Sequence, residues 1–147
     1  MKELSRRTIE HICSLAEINY NNFVFVPECE DIDLADEIFL RYPGLLFVLT
    51  NEQIDKPYDT AKADYSIEDI QGFWDRVIIN ASVSNEQEYI IKAYSLLAPG
   101  GILISTVSRG SLNHIDTFSK EFQKFLKQHN AYIEHFENVY IIKLLKN

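Results

Sequence analysis

Short apolar runs alternate with longer amphipathic segments along most of the chain. In the middle, residues 77–79 (Val-Ile-Ile) and 102–104 (Ile-Leu-Ile) are apolar and rich in β-branched side chains, which is typical of strands buried on both faces. Between them, residues 86–97 place Ile90, Tyr94 and Leu97 at helical spacing. A strand, a helix and a second strand in this order predict a βαβ unit with parallel strands and a right-handed crossover.

The rest of the chain predicts further helices and strands. The predicted helices are residues 3–18, 34–42 and 117–129, and the predicted strands are residues 23–26, 45–49, 132–136 and 139–145. Asp33 is expected to cap the helix that follows it, and residues 99–101 (Pro-Gly-Gly) are expected to end the central helix. Residues 51–72 contain Pro57 and scattered charges and are predicted to be mainly loop. This arrangement predicts an α/β fold.

Length and charge limit the classes of protein to which the chain can belong. With 147 residues it has the size of one domain, residues 1–147, and its formal net charge of −8 argues against tight contact with a nucleic-acid backbone. Apolar runs stay well below the ~20 residues that cross a bilayer, and the first residues lack the apolar core of a signal peptide. A cytoplasmic location is therefore expected. Cys13 and Cys29 are not at a metal-binding spacing and the four histidines are dispersed, so no metal site is predicted.

Two motifs in the middle of the chain resemble a known family. Residues 96–101 (Leu-Leu-Ala-Pro-Gly-Gly) match the pattern LL-x-PGG, and Asn80 stands where a motif Asn-Pro-Pro-(Phe/Tyr) begins. With the order of the elements, these residues resemble class I S-adenosylmethionine-dependent methyltransferases of the type that methylates amino groups. The resemblance implies a Rossmann-like three-layer α/β/α fold, a mostly parallel sheet that ends in an antiparallel hairpin, and S-adenosylmethionine as the cofactor.

The segment that would hold this cofactor departs from the family pattern. In the family, the first strand leads into a loop similar to Glu-Pro-Ser-x-Gly-x-Gly-x-Leu-Ala, whose glycines let the backbone approach the cofactor closely. Here Pro27 matches the proline, but Glu30 and Ile32 replace the two key glycines. Their side chains are expected to fill space that the cofactor needs. A carboxylate at Glu30 would also repel the carboxylate of the cofactor, although it would attract the amine.

The resemblance nevertheless implies a small set of candidate cofactor residues. Glu52 follows the second predicted strand, near the position of the acid that holds the ribose in the family, and a solvated loop residue is the alternative. Asp64 and Tyr65 resemble the Asp-(Phe/Tyr) pair whose aspartate holds the adenine amino group, with a chance match as the alternative. The candidate cofactor-binding residues are therefore Pro27, Glu28, Glu30, Glu52 and Asp64, and S-adenosylmethionine is expected to bind only if the site is intact.

Asn80 is the candidate catalytic residue. In amino-group methylation by the family, this asparagine accepts a hydrogen bond from the target nitrogen and so orients its lone pair toward the methyl group. Here Ala81 and Ser82 replace the two rigid prolines, and Val83 replaces the aromatic ring that stacks on the acceptor. Asparagine is also a common turn residue at the end of a strand, so a structural role is the alternative.

These departures predict that fold and activity have separated in this chain. We expect a catalytically degenerate methyltransferase-like protein that binds a protein partner, with Glu28, Glu30, Asp31 and Asp33 on its contact surface. An acidic inhibitor of a nucleic-acid enzyme, of the anti-restriction or anti-CRISPR kind, fits this expectation. The alternatives are an active, divergent methyltransferase that uses Asn80, and an accessory subunit of a methyltransferase complex.

Overall fold

Helices and strands alternate along the chain in the computed structural model, which describes residues 4–29, 31–50, 54–62, 70, 72–80, 86–108 and 119–147. The elements are, in chain order, α1 (Arg6–Ala16), β1 (Phe23–Cys29), α2 (Ile32–Phe39), β2 (Leu45–Thr50), β3 (Asp59–Lys62), β4 (Trp74–Ile79), α3 (Glu86–Ser95), β5 (Leu97–Ser108), α4 (Lys120–Gln128), β6 (Tyr132–Phe136) and β7 (Val139–Leu145). The predicted bounds of the last two strands are confirmed.

The strands form one seven-stranded sheet in the order β3-β2-β1-β4-β5-β7-β6. The first five strands in this order are parallel to one another. β7 is antiparallel to β5, and β6 is antiparallel to β7. The predicted α/β architecture is therefore confirmed, including the antiparallel hairpin at the end. The carboxyl ends of β1, β2, β4 and β5 lie at one edge of the sheet, which we call the carboxyl edge, and their amino ends lie at the opposite amino edge.

Both faces of the sheet are covered by helices, which explains why its central strands are apolar at successive positions. Ile78 packs in the cluster that includes α1 and α2, while its neighbours Val77 and Ile79 pack in the cluster that includes α3 and α4. Because side chains alternate between the two faces of a strand, apolar side chains are expected at successive positions of a strand that is buried on both faces. The same alternation in β5 places Leu103 with α3 and α4.

Two free cysteines, Cys13 in α1 and Cys29 in β1, are buried. Burial raises the pKa of each thiol to about 12, because the thiolate would lose its hydration. We therefore expect neither thiol to react with iodoacetamide at about pH 8 in the folded protein, and both to react in urea, as mass spectrometry would measure. Modification of either cysteine at full rate without denaturant would contradict the packing described here.

The start of α2 differs from the prediction. The helix begins at Ile32, and its N-cap is Asp31, whose side chain accepts a hydrogen bond from the Asp33 amide. The prediction that Asp33 caps the helix is therefore wrong. The reason is that β1 continues through Cys29, which leaves only residues 30 and 31 for the connection, so the helix starts earlier than its apolar pattern suggests.

The Pro-Gly-Gly segment also differs from the prediction, because it lies inside β5 and does not end α3. Trp74 and Arg76 of β4 pair with Leu97 and Ile102 of β5. Residues 98–101 of β5 therefore bulge out of the ladder. Gly100 has φ +82°, and a Cβ on Gly101 would lie 2.8 Å from the Ala98 carbonyl oxygen. The glycines are therefore required by the bulge, while α3 already ends at Ser95.

The strand β3 was missed by the sequence prediction, which assigned residues 51–72 mainly to loop. Its four residues, Asp59–Lys62, pair in parallel with β2 from Phe47 to Thr50. β3 lies at the edge of the sheet and its sequence, Asp-Thr-Ala-Lys, has no run of large apolar side chains. A short edge strand of this composition carries almost no periodic signal.

Candidate functional site

The carboxyl edge is the part of this fold where a ligand is expected, because open α/β sheets bind ligands beyond the carboxyl ends of their strands. Cys29 at the end of β1 pairs with Thr50 at the end of β2, and Ile79 at the end of β4 pairs with Ser105 of β5. Asn80 directly follows Ile79. The structure therefore places the candidate catalytic asparagine on the strand beside the one that leads into the candidate cofactor segment.

Asn80 is held within the sheet and is only 2% exposed. The Thr106 hydroxyl on β5 donates a hydrogen bond of 2.5 Å to the Asn80 side-chain oxygen. The same hydroxyl lies 3.5 Å from the Ile79 carbonyl oxygen. This contact fixes the Asn80 side chain and gives it a structural role, joining the ends of β4 and β5.

Thr106 was not among the predicted site residues, although the sequence contained a signal for it. Ser105 and Thr106 follow the apolar run of β5, and Asn80 follows the apolar run of β4. All three are buried. Buried polar side chains at the ends of adjacent parallel strands are expected to bond with one another, because each must replace its lost hydration. The parallel βαβ unit predicted for these two strands places their carboxyl ends at the same edge of the sheet.

Asp31, in the connection between β1 and α2, is held by several hydrogen bonds. One Asp31 carboxylate oxygen accepts from the Asp33 amide at 3.1 Å, and the other accepts from the Leu4 amide at 2.9 Å. The Cys29 thiol donates to the Asp31 carbonyl oxygen at 3.2 Å. Asp31 is only 7% exposed. A buried carboxylate therefore occupies the amino end of α2, the position where the helix dipole favours negative charge.

Two residues of the family's cofactor pattern lie in regular structure here. Pro27 is buried in a bulge of β1. The bulge arises because Val26 and Cys29 pair with Val48 and Thr50 of β2, so that β1 has one residue more than β2 between these pairs. Ile32, at the position of a family glycine, is the first residue of α2 and packs against the core cluster that contains α1. The backbone at this position is helical, so it does not form an open loop.

The predicted acidic residues have different positions. Asp33 is exposed in the first turn of α2, whereas Asp31 points inward and does not belong to an outward-facing acidic surface. Glu28 lies in β1, but its side chain is outside the described part of the structure, as are Glu30, Glu52 and Asp64. The structure therefore brings Asp31 and Asp33 together at the start of α2 and places Pro27 in the strand that precedes them.

Among the residues that the structure describes, histidine, cysteine, aspartate and glutamate side chains form no group of three that is suited to a metal ion. None of the helices in the described ranges is long and apolar enough to cross a membrane.

Solved structures with the same arrangement of elements are S-adenosylmethionine-dependent methyltransferases. The chain is similar to the O-methyltransferase from Bacillus cereus in complex with S-adenosylhomocysteine, with a TM-score of 0.68 and 14% identity over 98% of this chain and 83% of that chain. It is also similar to the N-methyltransferase NodS from Bradyrhizobium japonicum WM9, with a TM-score of 0.66 and 10% identity over 96% and 95% of the two chains. The precorrin-6y C5,15-methyltransferase from Geobacter metallireducens GS-15 gives a TM-score of 0.66 and 17% identity over 100% and 92%.

These similarities establish the fold. The chain has the Rossmann-like fold of class I methyltransferases, as the motifs predicted. No protein-family model and no curated protein sequence matches the chain. At identities of 10–17%, likeness of structure does not carry activity with it. The more specific resemblance to the Asn-Pro-Pro-(Phe/Tyr) type stays a prediction.

Proposed function

We propose that this chain uses a methyltransferase fold without methyltransferase catalysis, and that it acts by binding a protein partner. The observation that carries the proposal is the arrangement of Asp31 and Ile32 at the start of α2. In it, the Asp31 carboxylate caps the helix and Ile32 is helical and packed, at the place where the family pattern has a glycine loop around the cofactor.

Packing at this connection disfavours S-adenosylmethionine, because Ile32 is helical and packs against the core at the position of a family glycine. Charge acts in both directions, because the Asp31 carboxylate at the amino end of α2 would repel the carboxylate of the cofactor and attract its amine. Moving Asp31 away would break its hydrogen bonds with the Leu4 and Asp33 amides. Loss of such bonds from buried groups is costly. These hydrogen bonds favour the arrangement in which Asp31 stays at the amino end of α2, which supports the proposal that S-adenosylmethionine does not bind.

A protein-binding role is supported by the charge of the chain and by the exposed Asp33. A net charge of −8 favours a partner with a basic surface and speeds association with it. A more specific form of the proposal is an inhibitor that occupies the basic nucleic-acid groove of an enzyme. Replacing Glu28, Glu30 and Asp33 by lysine tests whether the predicted acidic surface binds the partner. Asp31 is left unchanged because it caps α2.

An active, divergent methyltransferase is the second candidate function. It is supported by the position of Asn80 at the carboxyl end of β4 and by solved neighbours that contain S-adenosylhomocysteine or S-adenosylmethionine. In this alternative Asn80 would have to exchange its hydrogen bond with Thr106 for one with the methyl acceptor.

Titration of the purified chain with S-adenosylmethionine and S-adenosylhomocysteine separates the two functions. We expect no binding heat up to millimolar ligand in isothermal titration calorimetry, because the Asp31 carboxylate and the packed Ile32 occupy the cofactor segment. Micromolar binding would contradict the proposal. In that case Asn80→Ala should abolish methyl transfer and leave cofactor binding intact, with Thr106→Val as the control for loss of their shared hydrogen bond.

A further inference from the structure

Four large aromatic side chains are exposed at the amino edge of the sheet, opposite the candidate cofactor site. Tyr20, Phe23, Tyr42 and Phe73 are 75%, 50%, 77% and 72% exposed. We call these four residues the aromatic row. Isolated apolar residues on a surface are ordinary, but several large ones together mark an interaction site.

Backbone contacts hold the segments of the aromatic row together. The Gly44 amide donates to the Asn22 carbonyl oxygen at 2.9 Å, which joins the segment of Tyr42 to the segment that contains Tyr20. The Phe23 amide donates to the Asp75 carboxylate at 2.8 Å, which joins the start of β1 to the start of β4 after Phe73. The aromatic row therefore spans the amino ends of β2, β1 and β4, which are neighbours in the sheet.

The core at this edge has an aromatic stack of its own. Phe25 stacks on Trp74 with ring centroids 5.1 Å apart and on Phe47 with centroids 5.8 Å apart. These three rings pack in the cluster that includes α3 and α4. The rings of the aromatic row lie largely outside this packing, so the fold does not account for their size.

Tyr42 is in a backbone conformation that does not favour tyrosine. Its φ is +55°, in the left-handed region just after α2, where glycine or asparagine is preferred. The Tyr42 amide closes the turn by donating to the Phe39 carbonyl oxygen at 3.0 Å. An exposed tyrosine at a position where glycine would be less strained is unexplained by folding and is consistent with a contact that uses its ring.

The charges near the aromatic row are those that attract a cation. Asp59 is exposed and forms no ion pair with another described residue. Asp59 and Pro43, the residue after Tyr42, both line a surface groove between α2 and β3. The neighbouring Arg41 is already paired with Glu37 at 3.2 Å. Among the described residues, the carboxylate of Asp59 therefore stands in this groove without a cationic partner.

We propose that the aromatic row, with Asp59 in the adjoining groove, is a docking site for a basic protein segment that presents arginine side chains. A guanidinium group stacks on exposed aromatic faces and pairs with carboxylates at the same time, which an ammonium group does less well. The inference deepens the protein-binding role proposed above. It does not depend on the carboxyl edge, so its test can fail or succeed whether or not S-adenosylmethionine binds.

The test is a fluorescence-anisotropy titration with a labelled peptide of alternating arginine and glycine, and with a lysine-glycine peptide of equal length and charge. The variants are Tyr42→Gly alone and Tyr42→Gly with Phe73→Ser, and the control is Tyr132→Ser, which removes an exposed aromatic on the distant strand β6. We expect the double variant to weaken binding of the arginine peptide by about tenfold or more. Tyr132→Ser should change it by less than about twofold, and the lysine peptide should bind the native chain about threefold more weakly or worse.

Three results would overturn the proposal. The first is equal binding by the native chain and the Tyr42→Gly variant, which would make the attraction a property of net charge alone. The second is equal binding of the arginine and lysine peptides. The third is a dimer in sedimentation analysis that the double variant converts to monomer, since a second copy of the chain would then occupy the row. Thermal melts check folding, and Tyr42→Gly alone carries the test if the double variant unfolds, because glycine suits the φ of this position.

Discussion

Replacement of Arg76 by methionine is expected to lower the free energy of unfolding by about 3 kcal/mol. Arg76, on β4, is 8% exposed and donates hydrogen bonds to the carbonyl oxygens of Ala16 and Glu17, the latter at 3.0 Å. These carbonyls end α1, where Glu17 has φ +51°. Methionine would fill much of the same space but would leave the last carbonyls of the helix without their donor and without a compensating positive charge. Urea denaturation followed by circular dichroism measures the change.

Two further variants make this prediction specific. Arg7→Met is the control, because the Arg7 side chain is 80% exposed, forms a 3.5 Å ion pair with Glu137 and lies 5.9 Å from the centre of the Phe136 ring, so its expected effect is below about 1 kcal/mol. Arg76→Lys should have an intermediate effect, because an ammonium group retains the charge but does not reproduce the planar fork of donors. Equal stability of Arg76→Met and the native chain would show that α1 does not depend on this contact.

Most of the fold was predictable because its central strands are buried on both faces. Burial on two faces produces the apolar runs at residues 77–79 and 102–104, and the helices between strands carry a clear period. β3 was not predictable, because an edge strand with the sequence Asp-Thr-Ala-Lys has no comparable pattern. The Pro-Gly-Gly segment was misassigned because a β-bulge and a helix end require the same residues, and only the pairing of β4 with β5 distinguishes them.

The candidate site was predictable in its location and less so in its detail. Asn80 and the segment after β1 both follow strands of a sheet predicted to be mostly parallel, and this places them at the same edge. The sequence did not reveal that Asp31 turns inward, because that depends on the Leu4 amide, which is distant along the chain. The acidic run at residues 28–33 therefore looked like one surface, although Asp31 is buried and Asp33 is exposed in the structure. Periodicity reports which face of an element is apolar, but not which partner a polar side chain finds.

The two edges of the sheet differ in the side chains that they expose or pair. At the carboxyl edge, polar side chains satisfy one another, as the Asp31 cap and the Asn80–Thr106 hydrogen bond show. At the amino edge, the aromatic row exposes large apolar side chains that contribute little to the core. These two features of the described residues support the protein-binding role proposed above.

Replacement of Asn80 by alanine is expected to cost about 2 kcal/mol of folding stability, whether or not the chain has any activity. Asn80 is 2% exposed, and its side-chain oxygen accepts the hydrogen bond from the Thr106 hydroxyl. Alanine would leave a small cavity and a buried hydroxyl that has lost this acceptor. Denaturation of Asn80→Ala, Thr106→Val and the double variant forms a mutant cycle, in which we expect the double variant to be more stable than the sum of the single changes by about 1 kcal/mol. A coupling near zero, with methyl transfer lost in Asn80→Ala, would reverse the assignment and favour the catalytic role of this asparagine over its structural one.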